Sequence, residues 1–129
     1  MPLRIERIDH IVLTVRDIVA TCDFYTRVLG FEVVRFDDGR IALAFGSQKF
    51  NLHEKDREFL PRAAAAVPGS ADFCLITTTP IEDVVGHLEG LGVEIEAGPV
   101  PKTGATGPLI SVYFRDPDGN LVEVSNYTV

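Results

Sequence analysis

The sequence predicts an α+β fold in which one βαβββ module occurs twice, and three observations carry that prediction. The first is an internal duplication: "DHIVLTVRDIVATCDFYTRVLGFEVV" and "DFCLITTTPIEDVVGHLEGLGVEIE" pass through strand, helix and strand in the same order. The second is that three short alternating runs, bounded by turn residues, follow each helical segment. The third is a glycine at the end of each helix, Gly30 and Gly92, where a left-handed residue closes the last turn. Aligning Asp9 with Asp72 and "LGFEV" with "LGVEI" leaves the second copy one residue shorter within its helical segment.

In chain order, "IDHIVLTV" alternates as a strand, with Ile8, His10, Val12 and Thr14 on one face and Ile11, Leu13 and Val15 on the other. Asp17 stands at an N-cap position, and Ile18, Cys22, Tyr25, Val28 and Leu29 follow at helical spacing. The runs "FEVVRF", "RIALAFG" and "QKFNLHE" read as strands, with "DDG" as the turn between the first two. "KDREFLPRAAAAVPGSAD" reads as a crossover with one turn of helix at its alanines, bracketed by Pro61 and Pro68. Pro80 opens the second helix, where its missing N–H is no loss. "VEIEAG", "LISVYFRD" and "NLVEVSN" are the remaining expected strands, the last two joined by "DPDGN". "GPVPKTGATGPL" reads as an irregular lid or binding loop. The expected organisation is a single domain over 1–129: module 1 about 1–55, crossover about 56–70, module 2 about 71–129.

Composition narrows the partners. The 129 residues are 46% hydrophobic and 24% charged, an ordinary globular balance, and the net charge of −7 argues against nucleic acid or an anionic membrane as partner. No run approaches the length of a membrane span, and the N-terminus has no signal-peptide core, so a cytoplasmic location is expected. The two cysteines, Cys22 and Cys74, are expected to be reduced and unbridged, with Cys74 on the helix-packing side of its strand. There is no GxSxG, no phosphate loop and no basic patch.

Alternation also selects candidate site residues. Asn51 and His53 share a face, with Phe50 and Leu52 behind them; Leu121, Glu123, Ser125 and Tyr127 share a face, with Val122 and Val124 behind. His10, His53 and Glu123 together form a divalent-metal set that leaves coordination positions open. The duplication matches Asn51 with Glu123 and His10 with Phe73. Phe73, Tyr113 and Phe114 could line a pocket for an aromatic ligand.

The stretches "IDHIVLTVRDIVATCDFYTRVLGFE" and "YFRDPDGNLVEVSNY", with the repeated βαβββ order, resemble the vicinal oxygen chelate superfamily, which includes glyoxalase I, extradiol dioxygenases, methylmalonyl-CoA epimerase and antibiotic-resistance proteins. "NLHE", "GPVPKTGATGP" and "FRDPDGNLVEVSNY" are similar in particular to the glyoxalase domain-containing protein 5 subgroup. The resemblance implies paired modules forming an eight-stranded cup, with metal ligands drawn from the first and last strands of each module. It puts His10 and Glu123 on ligand positions, places Phe73 where many members have a ligand, and sets the remaining position at Asn51, with His53 two residues on. The expected ion is Zn, Mn, Fe or Ni, held by His10, His53 and Glu123. Glu123 is also the candidate catalytic group, and Asn51, Phe73 and Tyr113 are candidate substrate contacts. The implied function is a metal-dependent lyase or isomerase acting on a small oxygen-chelating substrate, as a homodimer or with modules paired within the chain. The other readings are an extradiol-type dioxygenase and a metal-free protein that binds a small molecule or antibiotic. With Phe73 in a ligand position, genuine glyoxalase I activity is not expected.

Overall fold

The computed structural model describes residues 2–128, so the two end residues of the expected domain lie outside the described residues. The chain divides between Pro68 and Gly69 into two units. In unit 1 the elements are β1 (His10–Val15), α1 (Ile18–Leu29), β2 (Glu32–Phe36), β3 (Arg40–Phe45) and β4 (Gln48–Glu54). The sheet order is β1-β4-β3-β2, with β1 parallel to β4 and the other neighbours antiparallel. Unit 2 repeats the pattern with β5 (Asp72–Ile76), α2 (Ile81–Gly90), β6 (Ala97–Thr103), β7 (Pro108–Arg115) and β8 (Leu121–Tyr127), in the order β5-β8-β7-β6. Among the described residues the eight strands thus form two four-stranded sheets, one in each unit, each with one helix.

Local chemistry explains the element ends. The Asp17 carboxylate accepts the Ala20 N–H at 3.0 Å, satisfying one of the orphan donors at the start of α1. Gly30 closes α1 at φ 69°, and Gly92 takes φ 73° one residue after the Leu91 cap of α2. Asp37 and Asp38 both have positive φ in the β2–β3 turn, a geometry that suits the twist of the flanking strands. At the β7–β8 turn the buried Asp116 accepts the Asp118 and Asn120 N–H groups, at 2.9 and 3.0 Å, and the Asn120 side-chain amide at 2.8 Å. Asn120 in turn accepts the Ala71 N–H at 2.9 Å, tying that turn to the entry of β5.

Three expectations are corrected. "VEIEAG" is not a strand: pairing begins at Ala97 and runs through the proline-containing loop segment to Thr103. Pro99 and Pro101 are tolerated because β6 is an edge strand with a register shift between Ala97 and Val100, so missing donors leave no ladder unpaired. Gly98, at φ 100°, lets that backbone approach β7, since a Cβ there would collide with the Ser111 carbonyl. The crossover contains turns and bends but no helix.

The core of unit 1 is an aromatic cluster beneath α1. The ring centroids of Phe31 and Phe45 stack at 4.4 Å, those of Phe45 and Phe50 meet at 4.9 Å, and those of Tyr25 and Phe31 lie 5.4 Å apart. Leu13, Val15, Leu43 and Leu52 complete it. In unit 2, α2 buries Ile81, Val84 and Leu88 and packs on β7, where Val112 and Phe114 are fully buried beside Val122. Phe50→Ala should destabilise the protein by about 3–5 kcal/mol, the range for emptying a packed aromatic site, as read from urea unfolding.

Candidate functional site

In each sheet the pleat turns one set of side chains to the helix and the other to an open face. On the open face of unit 1, register places Val12 beside Asn51, Thr14 beside His53 and His10 beside Lys49. His10 is exposed, and its Nδ1 lies 2.8 Å from the Asp9 carboxylate. With Nδ1–H donating to Asp9, the lone pair on Nε2 is left directed outward, the arrangement that orients a metal-binding imidazole. The same hydrogen bond holds the Asp9 carboxyl below its usual pKa.

His53 is differently placed. It sits four residues along the strands from the position opposite His10, about 13 Å at the usual rise. Ligand nitrogens on one ion lie about 3.5 Å apart, each being about 2 Å from the metal. The structure therefore does not bring His10 and His53 together. Instead Arg40, one position beyond the Ile41–Leu52 pair, places Nη2 3.2 Å from His53 Nε2. The Arg40 guanidinium lies over the Phe36 and Phe59 rings, at 5.2 and 4.9 Å, and the Phe59 ring is 5.8 Å from His53. Burial first, then the Arg40 charge, pushes the His53 pKa down and keeps the ring neutral. Among the described residues, the buried side-chain polar atoms without a partner are Arg40 Nε, Asn51 Oδ1 and His53 Nδ1, all on this face.

The open face of unit 2 centres on Glu123. Register puts Cys74 on one side of it and Tyr113 on the other, with Ser111 beside Ser125 one pleat away. The Ser111 and Ser125 hydroxyls are 2.6 Å apart, Ser125 donates to Glu123 at 3.3 Å, and the Cys74 thiol lies 3.2 Å from Ser125. Burial, then the adjacent Glu123 carboxylate, pushes the Tyr113 phenol up to about 12. Tyr113 therefore keeps its proton and serves as a donor. Arg115 does not join this group; it clamps Glu96 with two 2.9 Å hydrogen bonds.

Pairing also corrects the alignment of the two halves. Asn51 and Glu123 are counterparts, and their strand partners are Val12 and Cys74; counting back, the counterpart of His10 is Asp72, not Phe73. Phe73 pairs with the fully buried Val122 and lies on the helix side, away from Glu123, so it is no substrate contact on that face. Cys74 is the reverse: expected against the helix, it is exposed on the open face. Neither cysteine is bridged. Asp72, exposed on the face of Glu123, was missed in the sequence; matching strand pairs rather than the Asp9 and Asp72 letters would have found it. Among the described residues, no three His, Cys, Asp or Glu side chains gather as a metal cluster.

A βαβββ unit used twice, with polar groups on the open face of each sheet, defines a class of small-molecule-binding folds. The chain belongs to the Glyoxalase/Bleomycin resistance protein/Dioxygenase superfamily, whose model matches residues 7–124. It is 57% identical over 123 residues to Virulence protein STM3117 of Salmonella typhimurium, covering 95% of this chain and 85% of that protein. The crystal structure of that protein matches with a TM-score of 0.97 at 56% identity, over 98% of this chain and 100% of the other. Glyoxalase domain-containing protein RDO1 of Mycosarcoma maydis is 50% identical over 125 residues, covering 97% of this chain and 70% of that protein. An integron cassette protein from the mobile metagenome of V. cholerae matches with a TM-score of 0.97 at 53% identity, over 99% of this chain and 100% of that one.

Glu123→Gln should lower the Tyr113 pKa part of the way from about 12 toward the ordinary 10, measured by NMR of the tyrosine ring carbons. An unchanged midpoint would remove the carboxylate as a cause.

Proposed function

We propose that this protein is a divalent-metal-dependent enzyme of lyase or isomerase type, acting on a small substrate that presents adjacent oxygens. The observation that carries this reading is the Asp9–His10 pair, which leaves Nε2 of an exposed imidazole ready for a metal. His10 and Glu123 are the proposed ligands, with the Asp72 carboxylate as a further donor in the position that corresponds to His10. Asn51, with its unpartnered Oδ1, takes the place first assigned to His53, whose Nε2 faces a guanidinium. A metal held there would act as a Lewis acid, stabilising negative charge on the chelated oxygens. The chain's own part is proton handling. Glu123 can accept a proton, with the Ser125 hydroxyl steadying its carboxylate, and Tyr113 can donate a hydrogen bond to a substrate oxygen.

The objection to glyoxalase-type chemistry rested on Phe73 occupying a ligand position, and it loses its ground once Asp72 is the counterpart of His10. A cytoplasmic location and a homodimer belong to the same proposal. Exposed Ile76 on the open face of unit 2 is apolar surface that pairing of copies would cover. No helix among the described residues is long and apolar enough to cross a membrane.

Elemental analysis of untagged protein after incubation with Zn, Mn, Fe(II) or Ni tests the proposal. One of these ions should be retained stoichiometrically. His10→Ala and Glu123→Ala should each lower bound metal at least about tenfold, the usual scale for losing a ligand or its support, while circular dichroism stays unchanged. His53→Ala should retain the metal. Wild-type protein that stays metal-free with all four ions would overturn the reading.

A further inference from the structure

Unit 1 contains a cavity of about 440 Å³ between the open face of β1 and β4 and the segment Pro61–Val67. That volume falls in the range of small-molecule sites, roughly 300–1,000 Å³. Val12, Pro61, Ala63, Ala66 and Val67 give it apolar walls, while Thr14, His53 and Arg62 supply the polar groups. Its histidine is 2% exposed.

Hydrogen-bond chemistry decides which proton His53 carries. A guanidinium can only donate, so the Arg40 Nη2 contact at 3.2 Å requires His53 Nε2 to accept. The ring proton is then on Nδ1, and Nδ1 is buried without a partner. The neighbouring Arg40 Nε–H is buried without one as well. Two adjacent buried donors lacking acceptors are uncommon in folded proteins and call for a ligand or water. Charge selects between kinds of ligand. Arg62 lines the cavity and Arg40 stands behind His53, while the nearby anion is Glu58, 4.0 Å from Arg62 Nε. The surroundings are therefore net positive. A single water would satisfy one N–H but leave the alanine and valine walls wetted.

We infer that this cavity binds a small monoanion, a carboxylate on a compact apolar or aryl body, whose oxygen accepts the His53 Nδ1–H while its apolar part lies against Val12 and the Pro61–Val67 segment. Arg62 supplies charge at the rim. Nothing in this site uses His10 or Glu123, so it does not depend on the proposed metal. The His53–Arg40 pair is what distinguishes it: the guanidinium that repels a cation from the imidazole is the group that fixes its donor proton.

Calorimetric titration of the full chain with sodium benzoate, and with benzamide as the neutral isostere, tests the inference. EDTA present throughout makes the result independent of any bound metal. Benzoate should bind at one site, benzamide about tenfold more weakly, and His53→Phe should weaken benzoate by about tenfold, as for loss of a hydrogen bond to a charged group. His53→Gln, which keeps a side-chain N–H donor, should recover part of that loss. Nitrogen NMR of the wild-type histidines gives a readout that needs no variant: His53 should carry its proton on Nδ1, and benzoate should shift that resonance downfield. An Nε2–H tautomer, equal binding of benzoate and benzamide, unchanged affinity in His53→Phe, or no benzoate binding would each overturn the inference.

Discussion

Parallel pairing of the first strand of each unit with its last strand, β1 with β4 and β5 with β8, is the constraint on which the rest of the molecule depends. Strand side chains alternate with a period of two, so a slip of one residue would turn every open-face group into the helix layer. The pairing holds because its other face is unambiguous. Leu13, Val15, Phe50 and Leu52 in unit 1, and Val122 and Val124 in unit 2, are buried against the helices and their neighbours. Burial of that face commits His10, Asn51 and His53, and separately Asp72, Glu123 and Tyr113, to the opposite side.

The two units share this scaffold but use their open faces differently. Unit 1 buries a neutral histidine against an arginine, under an aromatic ring, with donors left unpaired. Unit 2 presents a carboxylate flanked by a phenol, two hydroxyls and a thiol. The first face leaves two N–H donors and the Asn51 amide oxygen unpartnered, whereas the second is centred on a carboxylate. Duplication followed by divergence of a few open-face residues is enough to produce the difference, because these positions do not pack the helices. Membership of the superfamily explains the scaffold, and relatives about half identical over nearly the whole chain share it closely. Chemistry belongs to the open-face residues.

Cys74 and Phe73 show how narrow the margin is. Matching the letters Asp9 and Asp72 aligns the halves one residue out of register at β5. That error exchanged the roles of a buried aromatic and an exposed thiol and hid Asp72. The helix ends were read without such trouble, since Asp17 and Gly30 act on their own backbone neighbours. The proline-rich β6 was not read as a strand because its pairing depends on β7, and edge position is a property of the assembled sheet.

The sequence by itself determined the βαβββ order, its repetition, the caps and turns, and which strands carry polar residues. These features follow from periodicity and from contacts between residues a few positions apart. Only the tertiary structure decided which polar residues become neighbours. That outcome turns on inter-strand register, which no single strand encodes. Register separated His10 from His53, set Tyr113 beside Glu123, and delivered Arg40 to His53 from a strand thirteen residues away. A histidine's role is written in the atom that faces it, and that atom came from elsewhere in the fold.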